Sequence, residues 1–335
     1  MREPAFWYRP PSMASRLLSP LGAVYGAAAA WRMNRAGADA GIPVICVGNF
    51  HTGGAGKTPA TLKIAEMLRT EGETPFVVSR GYRGRLAGPV RVNSQIHTAG
   101  DVGDEPLMMS SRVPVVISCD RAAGAKFAKL QGAGVILLDD GFQNPSLRKN
   151  LSLIVVDANR GIGNGFVFPA GPLRAPLNPQ IAKTDALIVI GSGQGTDDLE
   201  QSIKNRNIPV LRARLKADQR AASELSGKSV LAFAGIGDPP KFFSTLRENN
   251  IVVAEESVFA DHHAFSIGEI EKLMHDAAKR SLTLLTTEKD MARIRSDALL
   301  TRFADKIAVL PVTLEFDDEA VLNRLVTARL AAARK

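Results

Sequence analysis

One segment, residues 42–70, narrows the possible folds more than any other part of the chain. IPVICVGN is a short β-branched run, Gly53-Gly54-Ala55-Gly56-Lys57-Thr58 follows it, and Pro59 to Arg69 carries a helical pattern. A strand, a glycine-rich loop and a helix in that order form a phosphate loop. The glycines let backbone N–H groups close on phosphate oxygens, and the helix N-terminus adds positive potential. On this reading His51, Thr52, Gly53, Gly54, Ala55, Gly56, Lys57 and Thr58 line a site for ATP and Mg2+. Lys57 would reach the β- and γ-phosphates and the Thr58 hydroxyl would sit on the metal. His51 stands where the standard spacing has glycine, which suits a variant loop with a Gly-Gly pair before x-Gly-Lys-Thr. The bland alternative is a glycine-rich turn that binds nothing.

The rest of the chain repeats the alternation. TPFVVSR, VPVVIS, GVILLDD, LSLIVVD and DALIVIG read as strands between helical stretches, the pattern of a mostly parallel sheet covered on both faces. A polar stretch near 195–205 precedes VLRARLKA, an alternating strand, and a fresh α/β unit opens at Ser229. Ile251–Ala254 and LTLLTT add strands, IGEIEKLMHDAAKR adds a helix, and IAVLPVTLEF reads as a closing strand before a terminal helix. The expected fold is α/β, a P-loop NTPase-like core with a second, smaller α/β domain joined by a two-stranded linker. The expected boundaries are an N-terminal helix at 1–35, a core at 36–209, and linker strands within 210–226 and 307–316. The smaller domain would take 227–306 and a terminal helix 317–335.

The 335 residues carry a formal charge of +8, which favours an anionic partner: nucleic acid, a membrane surface or a phosphorylated substrate. Cys46 and Cys119 form no CxxC spacing, so neither a zinc site nor a disulfide framework is expected. Leu17 to Trp31 is nearly uncharged, and Leu17, Leu21, Val24, Ala28 and Trp31 fall on one helical face with Leu18 and Tyr25 beside them. It is shorter than the roughly 20 residues of a simple span. A cleaved signal and a plain core helix are alternatives. An interfacial anchor is preferred, because Arg2, Arg9, Arg16, Arg32 and Arg35 against Glu3 leave +4 for anionic headgroups.

Five further motifs stand out. GVILLDDGFQ ends a buried strand in Asp139 and Asp140, the place of a Mg2+-holding acid, though such a pair can also cap the next element. Thr74 to Gly100 contains no acid but includes Arg80, Arg83, Arg85 and Arg91, whose forks suit phosphate or carboxylate as readily as solvent. Asp104 and Glu105 in GDEP precede a helix, where capping is the simpler reading. Asp261-His262-His263 could suggest a metal. Neighbouring residues on an extended chain point to opposite faces, however, and a histidine that orients a catalytic carboxylate is chemically reasonable. Thr287-Glu288-Lys289-Asp290 is by itself a charged turn after LTLLTT.

Taken in order, the apolar N-terminal helix, GNFHTGGAGKTP, SRGYRGR, VGDEP, LLDDGFQ, FPAGPLR, AGIGDPPKF, DHHAF and TTEKD resemble the tetraacyldisaccharide 4'-kinases of lipid A synthesis (LpxK) through nearly the whole chain. The resemblance implies transfer of the ATP γ-phosphate to the 4'-hydroxyl of an acylated glucosamine disaccharide 1-phosphate, giving lipid IVA at the cytoplasmic face of the inner membrane. It further implies that Asp104 is the general base, oriented by His262, and that Thr58, Asp139 and Asp140 hold the metal. Arg80, Arg83 and Arg174 would then meet the anionic substrate, with inner-membrane anionic lipids as further partners and neither nucleic acid nor an obligate protein partner. With His262 on the smaller domain, the dyad would assemble on domain closure. Asn144 stands where members usually have histidine, and Ala175 where many have glutamate, so no role is assigned at 175. Two other functions compete. A metallochaperone-type P-loop GTPase or ATPase would need an NKxD-like guanine-reading motif or a ligand-rich loop, and neither is found. A nucleic-acid module would need stacking aromatics among the arginines, where Tyr82 is alone.

Overall fold

The computed structural model describes residues 3–335; Arg2, one of the arginines counted toward an anchor, lies outside them. In chain order the elements are α1 (Met13–Met33), β1 (Val44–Gly48), α2 (Lys57–Thr70), β2 (Pro75–Ser79), β3 (Val90–Arg91), α3 (Ala99–Val102) and α4 (Asp104–Met109). There follow β4 (Val115–Ile117), α5 (Arg121–Leu130), β5 (Val135–Asp139), β6 (Leu151–Asp157), α6 (Leu177–Ile181), β7 (Ala186–Ile190), α7 (Asp197–Lys204) and β8 (Val210–Ala217). The chain ends with α8 (Gln219–Leu225), β9 (Ser229–Ala234), α9 (Pro239–Glu248), β10 (Val252–Val258), α10 (Ile267–Lys279), β11 (Thr283–Thr286), α11 (Glu288–Ser296), β12 (Ala308–Val309), β13 (Val312–Phe316) and α12 (Glu319–Ala333).

Contacts divide the chain into two compact units. One comprises residues up to Arg80, Ser118–Leu215 and Leu314–Lys335; the other comprises Gly81–Ile117 and Lys216–Thr313. Residues 81–117, with Asp104 among them, therefore group with 216–313, whereas the sequence reading placed them in 36–209. The chain crosses between units within β8 and β13, which are neighbouring strands; Asp317 N–H donates to the Arg212 carbonyl at 3.0 Å.

In the first unit the strands run β13-β8-β7-β6-β1-β5-β2. β1 lies between β5 and β6, and its pairings with both, like those of β2 with β5 and β6 with β7, are parallel. Every residue of β1, β2, β5, β6 and β7 is buried, which explains why these strands read as unbroken apolar runs rather than alternations. From β5 the chain steps across β1 to β6, so the order reverses around β1. In open α/β sheets the crevice at the carboxyl ends of such strands is where ligands bind.

α1 packs through small residues. Ser15, Gly22, Gly26 and Ala29 are buried, and a Cβ on Gly22 would come within 2.8 Å of the Val167 carbonyl. Leu17, Leu21, Val24 and Trp31 are 61–75% exposed, so the apolar face read from the sequence points away from its own unit and the core-helix alternative fails. The helix runs 21 residues, longer than Leu17–Trp31. It continues through Pro20, which has no N–H for the Arg16 carbonyl, because the Ser19 hydroxyl donates to that oxygen at 2.8 Å. No helix among the described residues is long and apolar enough to cross a membrane.

The second unit holds a sheet in the order β10-β9-β11-β12. Alternation along β9 sends Leu231 and Phe233 to a cluster with Phe265, Ile270, Leu273 and Ile294, and sends Val230, Ala232 and Ala234 to another with Phe242, Phe243 and Leu246. Two helical layers thus sandwich the sheet. IAVLPVTLEF, expected as one strand, divides into β12 and β13, which belong to different sheets. Pro311 sits at the break because it cannot donate to a ladder.

Candidate active site

The loop between β1 and α2 is bent by glycines and braced from beneath. Gly56, at the N-cap of α2, has φ +87°, a conformation in which a side chain is strained, and a Cβ there would meet Ile190 at 2.6 Å. Thr52 N–H donates to the Pro172 carbonyl and Arg174 N–H to the Phe50 carbonyl, so the FPAGPLR segment is stitched to the loop's entry. Gln143 of LLDDGFQ donates to the Asn49 carbonyl at 2.7 Å and to Gln180 Oε1 at 2.8 Å, while Asn49 Nδ2 reaches the Gly53 carbonyl at 3.2 Å. His51 is fully buried, its ring meets the Thr52 carbonyl through Nδ1 at 2.6 Å, and burial pulls its pKa down to about 4. It is therefore a neutral strut within the loop. A Cβ on Gly54 would meet nothing within 4 Å, whereas one on Gly53 would lie 1.8 Å from the Glu3 carboxylate, so the N-terminal segment comes up against the loop.

β1 and β5 are paired with Val47 opposite Asp139, which sets the acid pair beside this loop. Asp139 is buried and accepts from the Ser79 hydroxyl at 3.1 Å. Asp140, with φ +49°, turns outward: Arg174 grips it with two N–H groups at 2.7 and 3.2 Å, and Lys57 Nζ lies 3.7 Å away. Burial opposes ionisation of Asp140, but Lys57 and then Arg174 outweigh it and hold the carboxyl well below the usual range. Arg121, buried at the start of α5, donates to the Asp140 carbonyl at 3.3 Å. Three cations and two acids thus gather at the carboxyl ends of β1 and β5. Thr58 is half-buried in the first turn of α2, and Arg80 is exposed just past β2. Arg174, expected to meet substrate, spends its fork on Asp140 in this structure. Asn144 turns locally, its side chain accepting from Ser146 N–H, and the Ala175 methyl is fully buried.

A second cluster forms in the other unit. Gly103, at φ +89°, lets the VGDEP turn approach the SRGYRGR loop so closely that a Cβ would stand 2.6 Å from the Tyr82 carbonyl. The next residue, Asp104, is buried, and His262 Nδ1 meets its Oδ2 at 2.6 Å. His262 has φ +61°, a backbone region that histidine tolerates better than most residues. His263 faces the other way, stacked on Phe259 at 4.9 Å and bonded to Glu269 at 3.0 Å. Both members of the expected dyad lie in this unit and are in contact, whereas the sequence reading placed Asp104 in the core and His262 in the smaller domain. Burial opposes ionisation of Asp104, but hydrogen bonds from His262 and Arg293, with the Arg293 charge, bring its pKa down to about 2. Arg83, exposed in the same unit, reaches the Asp261 carbonyl at 3.4 Å.

Sequence reasoning passed over Arg121, Arg293, Asn49, Gln143 and Gln180. Arg121 had a signal, since it follows the N-capping Asp120 at the start of a helix after a strand. Arg293, three residues beyond TTEKD, had none.

The profile of the family described as LpxK, Tetraacyldisaccharide-1-P 4'-kinase, matches residues 14–331. The Tetraacyldisaccharide 4'-kinase of Nitrobacter winogradskyi is 56% identical over 335 residues, covering all of this chain and 99% of that one. The enzyme of the same name from Bradyrhizobium diazoefficiens is 58% identical, covering all of this chain and 98% of that one. The crystal structure of the "apo" form of LpxK from Aquifex aeolicus, in complex with ATP, shares the fold with a TM-score of 0.71 at 24% identity, over 95% of this chain and 100% of that one. By the family match over residues 14–331 and by relatives more than half identical along its whole length, this chain belongs to the tetraacyldisaccharide-1-P 4'-kinase family.

Proposed function

We propose that the protein is an ATP-dependent lipid kinase that transfers the γ-phosphoryl group to the 4'-hydroxyl of a tetraacylated glucosamine disaccharide 1-phosphate, yielding lipid IVA for lipid A. Lys57, Arg174 and Arg121 gathered around Asp140 at the end of β1 and β5 are the observation that carries this reading. A P-loop transferase works mainly by positioning and by stabilising charge, and such a cluster does both. The Thr58 hydroxyl with the Asp139 and Asp140 carboxylates is an oxygen-only donor set that fits a hard cation such as Mg2+. Held there, that ion would neutralise charge on the phosphate oxygens. Lys57 supports the transferring group. Asp104 takes the proton of the sugar hydroxyl and His262 holds the carboxylate in place. Arg80 and Arg83, both exposed and basic, are the residues assigned to the substrate's phosphate. A metallochaperone-type nucleotide switch has no support beside the family match.

The exposed face of α1 serves as an interfacial anchor at the cytoplasmic side of the inner membrane, supported by its large apolar side chains and by Arg16, Arg32 and Arg35 on the same helix or just past it. Transfer of label from γ-labelled ATP to the acylated disaccharide, with the product's 4'-position mapped, tests the chemistry. ATP hydrolysis indifferent to the disaccharide would overturn it. Leu17→Glu with Val24→Glu tests the anchor: binding to anionic vesicles should fall by about tenfold or more, as loss of two buried apolar side chains implies. Unchanged co-sedimentation would remove α1 from that role.

A further inference from the structure

TTEKD was singled out in the sequence, yet the proposed chemistry gives it no task. The structure ties it to the second cluster through Arg293. This guanidinium is nearly sealed from solvent, and its Nε donates to Asp104 Oδ2 at 2.7 Å, the same oxygen that His262 meets. Its Nη1 donates to the Gly235 carbonyl at 3.0 Å and also pairs with Asp290. Asp290 is completely buried and fixed in turn by Gly235 N–H at 3.0 Å and the Thr287 hydroxyl at 2.8 Å. The Gly235 carbonyl also accepts His262 N–H at 3.0 Å, so the histidine and the arginine hang from one backbone atom. A Cβ on Gly235 would crowd Asp290 Oδ1 at 3.1 Å and Arg293 Nη1 at 3.3 Å. Four motifs distant in sequence, VGDEP, AGIGDPPKF, DHHAF and TTEKD, thus converge on one guanidinium.

We propose that Arg293, locked by Asp290, is the positioning residue for the Asp104 carboxylate: by claiming Oδ2 together with His262 it turns Oδ1 to the acceptor hydroxyl. The inference rests on Asp104 being the base. Among the described residues no hydrogen bond reaches Oδ1, while Oδ2 carries two donors, so the two oxygens are already differentiated. A guanidinium suits the task because its fork meets Asp104, Gly235 and Asp290 at fixed angles, which a single ammonium cannot do. Its charge also keeps Asp104 ionised in a place where burial alone would favour the neutral acid. The other ionisable groups around Asp104 are His262, with Asp261 3.5 Å from its Nε2, and the pair Lys289–Glu105 at 3.4 Å, Lys289 also lying 3.8 Å from Asp261. Tyr82 lies edge-on to the His262 ring at 6.0 Å.

Three variants test this with the full-length enzyme on the acylated disaccharide. Arg293→Ala removes both geometry and charge. Its kcat should fall about 10²-fold, the usual cost of a misplaced catalytic group. The KM for ATP should be unchanged, and the acid limb of the kcat–pH profile should move upward as Asp104 loses its counterion. Millimolar guanidinium should restore part of the rate. Arg293→Lys retains a charge without the fork, so its acid limb should stay near the wild-type position while kcat remains depressed. Asp104→Asn keeps the two claims apart. If it retains kcat, the base assignment fails. If it is inactive while Arg293→Ala keeps both the wild-type acid limb and the wild-type rate, the role of Arg293 fails alone. A folded Arg293→Ala protein, by circular dichroism, that loses rate with an unmoved acid limb and no guanidinium rescue would likewise overturn it.

Discussion

Asp140 and Asp104 are two aspartates, each gripped by an arginine and each held below the usual carboxylate range, yet their settings differ. The Asp140 side chain is 38% exposed and pairs with both Arg174 and Lys57; the Asp104 side chain is 9% exposed, and Arg293 beside it 7%. The first cluster is open, so its cations and acids can exchange partners with phosphate oxygens and a metal ion. The second is closed and built in advance, with Arg293 Nη1 already held by Gly235 and Asp290 before any substrate arrives. An open charge cluster suits ligands that bring their own charge. A closed one suits a carboxylate that must stay oriented while it meets a neutral hydroxyl.

Lys57→Ala is the harshest test of the open cluster. Loss of a cation that meets developing charge costs about 10³-fold in kcat or more. Turnover at the wild-type level in a folded protein would break the assignment of that cluster to nucleotide phosphates.

The closed cluster predicts a different signature. Asp104→Ala and His262→Ala should each lower kcat by about 10² to 10⁴ with little change in ATP affinity. Because the two act as one unit, the double variant should be scarcely worse than the worse single one. Fully additive losses in log kcat would mean independent roles, and the contrast drawn between the clusters would lose its basis.

Stability against pH sharpens the comparison. Both carboxyls are depressed in the folded state, so each contributes stability that is present above the unfolded pKa and lost as pH falls through the folded one. For Asp104 the window runs from roughly pH 4 down to about 2, and the loss is about 2 kcal/mol. Asp140, partly screened by solvent, should lose less over its window. Urea unfolding at pH 5 and pH 3 should show Asp104→Asn with a flatter dependence than wild type, and Asp140→Asn with a smaller difference. Equal flattening in both would mean that the two sites are equally sealed.

The smallest expected effect separates neighbouring histidines. His263→Ala should leave kcat unchanged and cost about 1 to 2 kcal/mol of stability, from its stacking on Phe259 and its bond to Glu269. A loss of kcat matching that of His262→Ala would remove the distinction between them.

The sequence by itself determined what depends on near neighbours. The fully buried strands β1, β5 and β6 announce a parallel sheet as unbroken apolar runs, and Gly53 to Thr58 announces a phosphate loop because the motif needs only the strand before it and the helix after it. The apolar face of α1 is equally local, being set by a 3.6-residue period. Tertiary structure decided the partners. Asp104 and His262 are 158 positions apart and Asp104 and Arg293 are 189 apart, so only the packing of α4, α11 and the loop after β10 brings them together. No local pattern marks Arg293 among 42 basic residues, because an arginine that will be sealed against two carboxylates looks the same in sequence as one that will be solvated. The fold also decided that Arg174 turns to Asp140, that Pro311 sends β12 and β13 to different sheets, and that α1 buries its glycines and presents its leucines. A periodicity fixes which residues share a face. Which face is covered, and which charges meet, follows only when the topology has placed the other segments.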